Sequence, residues 1–165
     1  MSAKKNTAVV VVDMQQAFLD EFTLTERVRL VDNHFDLLEH CKTRDVPVVG
    51  LRYGIYGDYY PRLEFKIDEV PRHRHIWKDS NDGFSNPALK EYLEELSIDR
   101  LCITGINAAF CVKSTTRSAL DKGFQVATSD DLIGNAIKLK HTPYRDWFKE
   151  STTWFNRYQD MLRTL

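Results

Sequence analysis

Apolar and polar positions fall into two rhythms along this chain. Residues 8–12 are apolar at every position and include four consecutive valines, the pattern of a strand covered on both faces in a parallel sheet. Thr23 and Glu26 then fit a reciprocal helix start, and Val28, Val31, Phe35 and Leu38 recur at helical spacing, predicting a helix to about Cys41. Residues 47–51, 72–77, 101–106 and 124–128 read as further strands. Between them, Asn86 and Pro87 open a helix with the buried stripe Leu89, Tyr92, Leu93 and Leu96, and Val112, Thr116, Ala119 and Leu120 mark another. Thr142 and Pro143 open a short helix through Phe148, and Asn156 caps a terminal helix. Gln16 and Phe18 fall in the loop after the first strand, and residues 63–70 carry no rhythm that assigns them. Strands alternating with helices predict an α/β fold built on a parallel sheet.

Composition narrows the partners. At 165 residues the chain is long enough for one domain, residues 1–165, and no repeat, low-complexity tract or linker divides it. The 23 basic and 24 acidic residues nearly cancel, which argues against a nucleic-acid or membrane-surface protein and for a small-molecule substrate or a second copy of the chain. No apolar run approaches the roughly 20 residues of a membrane span, and MSAKKNT lacks the apolar segment of a leader, so a cytoplasmic location is expected. Cys41, Cys102 and Cys111 are odd in number and widely spaced, which disfavours a disulfide framework or a zinc site and suits a reducing compartment. DMQQAF stands after the first strand where a nucleotide-binding fold would place a glycine-rich phosphate loop.

Candidate chemistry gathers at strand ends. Cys111 lies where the strand 101–106 passes into a helix, and a helix start favours a thiolate; a small buried core cysteine is the alternative. Asp13 closes the first strand and Lys78 the third, and parallel strands deliver their carboxyl ends to one edge, where ligands bind. Arg52 and Tyr53 end the second strand. Arg52 offers a planar fork for a substrate carboxylate, or else makes a surface ion pair. The tyrosine- and glycine-rich segment 53–60 reads as a loop able to close over a pocket, to pack on the surface or to contact another subunit. His73 and His75 share one strand face and could bind a metal, but nothing nearby is expected to complete the ligand set.

AVVVVDMQQAF, IWKDSNDGFSNPAL and LCITGINAAFCVKSTTRSALDKG, in this order over nearly the whole chain, resemble the motifs of the isochorismatase-like cysteine hydrolases, a superfamily that includes nicotinamidases, N-carbamoylsarcosine amidases and isochorismatases. The resemblance implies a three-layer α/β/α, Rossmann-like fold with a mainly parallel six-stranded sheet, whose last strand would be residues 152–155. It implies Cys111 as nucleophile, Asp13 as base and Lys78 as the cation between them, with the backbone N–H groups of Asn107 and Cys111 as an oxyanion hole behind a cis peptide after Ile106. Gln16, Phe18, Arg52, Tyr53 and Phe110 would line the substrate site, no cofactor would be needed, and the chain would form a dimer or tetramer. Where nicotinamidases carry metal-binding histidines, residues 52–61 hold none, so no metal is expected and nicotinamidase is disfavoured. Asn107 and Ala109 depart from the common family residues and alter the polarity of the pocket. The implied reaction is hydrolysis of an amide, ureide or carbamoyl C–N bond through a thioester. Vinyl-ether hydrolysis and a non-catalytic binding role are the alternatives, the last because a fold never fixes a function.

Overall fold

A computed structural model describes residues 5–165; residues 1–4 of the segment read for a leader lie outside it. The elements run β1 (Thr7–Val12), α1 (Gln16–Leu19), α2 (Leu24–Arg44), β2 (Val48–Tyr53), α3 (Pro61–Asp68), β3 (His73–Lys78), α4 (Pro87–Glu95), β4 (Arg100–Ile106), α5 (Lys113–Asp121), β5 (Gln125–Ser129), β6 (Ile133–Gly134), α6 (Arg145–Ser151), β7 (Thr153–Phe155) and α7 (Tyr158–Leu162). Six strands pair in the order β3-β2-β1-β4-β5-β7, and the two-residue β6 adds a seventh beside β4. Every one of these pairings is parallel. The expected three-layer α/β/α architecture is the one observed, with β6 as an addition the apolar pattern was too short to announce.

β1 sits at the centre, and its alternation explains its unbroken apolarity. Val9 and Val11 enter one buried cluster with Leu30, Leu37 and Cys41 of α2 and Met161 of α7. Ala8, Val10 and Val12 enter another with Leu89 and Leu93 of α4 and Ala119 of α5. Both faces are dry, so neither set of positions has reason to be polar.

Several boundaries depart from expectation for local reasons. α2 is capped by Thr23, whose side chain accepts from the Glu26 N–H at 3.2 Å. It runs past Cys41 to Arg44, where Asp45 turns left-handed at φ 54°. Residues 63–70, unassigned from sequence, mostly belong to α3, a short helix started by Pro61 and anchored by buried Leu63, Lys66 and Ile67. Gln16 and Phe18 stand on α1 rather than in a loop. α6 begins at Arg145 and α7 at Tyr158, and Asn156 does not cap α7 but accepts from the Trp154 indole at 3.1 Å. Among the described residues no helix is long and apolar enough to cross a membrane.

The carboxyl ends of β1, β3 and β4 reach one edge, and one glycine lets two of them meet. Gly105 pairs with Val12, holds φ at +116°, and leaves no room for a side chain, since a Cβ would lie 2.1 Å from the Val12 carbonyl oxygen. Gly105→Ala is therefore expected to lower the free energy of unfolding in urea by about 3 kcal/mol or more. A loss below about 1 kcal/mol would mean that β1 and β4 separate here without cost.

Candidate active site

Three side chains meet at this edge. Asp13 follows β1 in a left-handed backbone conformation, φ 54°, a state that costs a non-glycine residue energy and recurs where geometry serves a site. Lys78, the last residue of β3, places its Nζ 3.0 Å from Asp13 Oδ2, with both side chains fully buried. The same Nζ donates to Cys111 Sγ at 3.5 Å and to the Ser80 carbonyl at 2.9 Å and lies 3.9 Å from the centre of the Tyr53 ring. Neither Asp13 oxygen has a well-aligned hydrogen bond, so the Lys78 contact is an ion pair that leaves acceptor capacity on the carboxylate. Cys111 is not a first helical residue. It is the fourth of a wide turn, Ala108–Val112, that precedes α5, closed by a Val112 N–H donated to the Asn107 carbonyl at 3.2 Å. The Ile106–Asn107 peptide is cis.

Burial governs the electrostatics. It pushes the Cys111 thiol up to about 12, with the Asp13 charge acting in the same direction and Lys78 opposing. The thiolate favoured by a helix start is therefore not the resting form: a neutral thiol stands beside a carboxylate. Burial also raises the Asp13 carboxyl above its ordinary 3.8, against the pull of Lys78, which makes it a stronger proton acceptor than a solvated aspartate.

A cavity of about 270 Å³ opens above the sulfur, lined by Phe18, Tyr53, Tyr56, Asn81, Asn107, Phe110, Cys111 and Leu139. Phe18, Tyr53 and Tyr56 pack edge to face and tilted, with ring centres 5.0–6.5 Å apart. Phe18, Tyr53, Phe110 and Asn107 thus join Cys111, as expected; Gln16 and Arg52 do not. Gln16 bonds to Asp20 on the exposed side of α1 at 2.7 Å and lines a groove with Leu24, Arg27 and Val31. Strand alternation turns Arg52 to the face opposite Leu51 and Tyr53. There Glu64 at 2.8 Å and Asp58 at 3.7 Å hold it, and its guanidinium lies over the rings of Tyr59 and Trp77. The guanidinium is committed to structure, not available to a ligand.

Other residues at the site gave no sequence signal. Gln15, fully buried, accepts from the Tyr53 N–H at 2.7 Å and donates to the carbonyls of Tyr53 and Gly57 at 3.1 and 2.8 Å. It fixes the segment that carries Tyr53 and Tyr56, so that segment is anchored and not a free flap. Asn81 accepts from the thiol at 3.6 Å. Asn107 accepts from the Ala136 N–H at 2.8 Å, and Asn135 accepts from the Ala109 N–H at 3.0 Å, stapling the Leu139 wall to the cysteine turn. On the far face of the sheet, Asp68, at the end of α3 five residues before His73, joins His73 and His75, a third group the sequence reading did not connect to them.

Lys78→Met leaves the Asp13 carboxylate buried without a counter-charge and is expected to cost about 3–5 kcal/mol of stability at neutral pH. The loss shrinks as the pH falls, because a protonated Asp13 needs no partner. Urea denaturation across pH checks both the size and the sign; a loss independent of pH would separate the effect from Asp13.

Known proteins share this sequence pattern and fold. Streptothricin hydrolase of Streptomyces noursei is 28% identical over 132 residues, 75% of this chain and 48% of its own length, so the chain spans about half the length of that relative. N-carbamoylsarcosine amidase of an Arthrobacter species is 29% identical over 79 residues, 48% of this chain and 30% of its own. Among solved structures, the YcaC gene product of Escherichia coli, described as an octameric hydrolase of unknown specificity, superposes with a TM-score of 0.84 at 20% identity, covering 99% of this chain and 81% of that one. The sequence profile of the isochorismatase domain matches residues 7–142, and the chain belongs to the isochorismatase family.

Proposed function

We propose that this chain is a cysteine hydrolase that cleaves a C–N bond of a small amide, ureide or carbamoyl compound through a thioester. The observation that carries the reading is Lys78 Nζ held 3.0 Å from Asp13 Oδ2 and 3.5 Å from Cys111 Sγ at the floor of an aromatic pocket. Asp13 takes the thiol proton as Sγ attacks the carbonyl carbon, and Lys78 stabilises the charge passing between them. The oxyanion forms against the backbone N–H groups of Asn107 and Cys111. The nitrogen leaves with the proton that Asp13 returns, water activated by Asp13 then opens the thioester, and the thiol regains its proton. No cofactor takes part.

The pocket supports a substrate class. Among the described residues none of those that line it is charged, the Asp13–Lys78 pair lying buried beneath, while Phe18, Tyr53, Tyr56 and Phe110 present ring surfaces and Asn81 and Asn107 polar ends. A flat, uncharged molecule with one polar flank fits these walls. A free nucleophilic thiol suits the cytoplasm. Assembly into a homo-oligomer, by analogy with the octameric neighbour, completes the proposal.

Intact-mass spectrometry after incubation with pooled amides, ureides and carbamoyl compounds is expected to reveal an acyl adduct in the wild type and none in Cys111→Ala. With the substrate so found, kcat/KM should rise with pH through a midpoint above the ordinary aspartate value of 3.8. It should then stay flat through neutrality, since the thiol keeps its proton to about 12. Adduct-free protein that releases neither amine nor ammonia from any pool member would overturn the C–N reading.

A further inference from the structure

We infer that Asp68, His73 and His75 form a binding site for one borderline divalent transition ion, of the zinc class, on the face of the sheet opposite Cys111. One ligand atom from each of the three lies within 4.8 Å of the others. His73 and His75 are successive same-face residues of β3, the sheet-edge strand, and Asp68 is the last residue of α3. Asp68 Oδ1 stands 2.7 Å from His75 Nε2 and 3.6 Å from His73 Nε2. Two imidazole nitrogens and a carboxylate oxygen suit zinc, cobalt or nickel, with the remaining position left to water or an outside ligand.

The hydrogen bonding around the rings favours this use. His73 Nδ1 lies 2.7 Å from the Val70 carbonyl, which can only accept, so Nδ1 carries the proton and a neutral ring turns the Nε2 lone pair toward the Asp68 oxygen. A cation placed between them would be ligated by both. A backbone carbonyl holding the far nitrogen is also how metal-bound histidines are commonly oriented. His75 Nδ1 is buried without a partner against Gly50, the one residue type there that spares the ring, since a Cβ would approach Nδ1 to 3.2 Å. Without the ion, His75 Nε2 donates to Asp68 Oδ1 at 2.7 Å, so an ion binding here displaces that proton, which the unpartnered Nδ1 is free to take up. Nearby cations are engaged elsewhere: Lys66 with Glu39 and with Glu69 at 2.9 Å, Arg72 with Asp45 at 3.2 Å, and Arg74 over the Tyr92 ring.

This site is separate from the proposed chemistry. Lys78 lies three residues beyond His75 on β3 and so points to the other face, about 10 Å further along at strand rise. What the ion joins is the end of α3 and the exposed edge of the sheet, across the four residues between them.

The experiment uses the chain without an affinity tag, stripped with chelator, and titrated with Zn²⁺ by calorimetry and with Co²⁺ by absorption. One ion per chain is expected, with a cobalt spectrum of nitrogen and oxygen ligation and an upward shift of Tm by a few degrees. His73→Gln, His75→Gln and Asp68→Asn should each weaken the affinity at least about tenfold, while His141→Gln leaves it unchanged. Ring ¹⁵N shifts of His73 and His75 in the unmutated chain give the same answer if a variant folds poorly. Absence of saturable binding, unmoved His73 and His75 resonances, or a sulfur-to-cobalt band lost in Cys111→Ser would each overturn the site, the last by placing the ion on the thiol.

Discussion

The Asp13–Lys78 pair takes two opposite charges wholly out of water, and the geometry of the sheet edge follows from keeping them together. Either charge alone would be expelled or neutralised at that depth. The strands that carry them are not neighbours: β2 lies between β1 and β3, so the lysine must reach across it. Its length and the left-handed turn at Asp13 close that gap, and Tyr53 at the end of β2 supplies a ring face below the ammonium. Cys111 enters the same enclosure from β4, on the far side of β1. The close approach of Gly105 to Val12 brings it near enough for its sulfur to share the lysine.

With the charges confined, proton traffic becomes local. Burial raises the thiol and the carboxyl together. The lysine touches both, so moving a proton from sulfur to oxygen leaves the total charge of the enclosure unchanged.

Much of this was legible in the chain. Apolar runs without alternation mark β1 and β4 as central, and a charged or nucleophilic residue just past each run is a strong hint when strands are parallel, which is why Asp13, Lys78 and Cys111 were found together. The failures share one cause, strand or helix phase. Arg52 and Tyr53 are adjacent, yet one faces Glu64 and the other the cavity. Gln15 and Gln16 are adjacent, yet the first is buried and threefold bonded while the second lies on the surface. A single step along the backbone reverses the outcome, and flanking composition does not encode it. Asn135 was invisible for another reason: its bond to the Ala109 N–H forms only when distant segments close, and it sits in no periodic pattern.

The asparagine staples divide the pocket into two kinds of wall. Phe110, Asn107 and Cys111 belong to the turn that grows out of β4, and their positions are set by the central sheet. Leu139 belongs to an irregular segment attached to that turn through the amide side chains of Asn107 and Asn135 and through Asn135 donating to the Leu139 and Thr142 carbonyls at 3.2 Å. Side chains on that segment can therefore be exchanged while the backbone beneath the sulfur stays where it is. One wall of the pocket is thus tied to the central sheet, and the other is a replaceable lining hung on it by two amides.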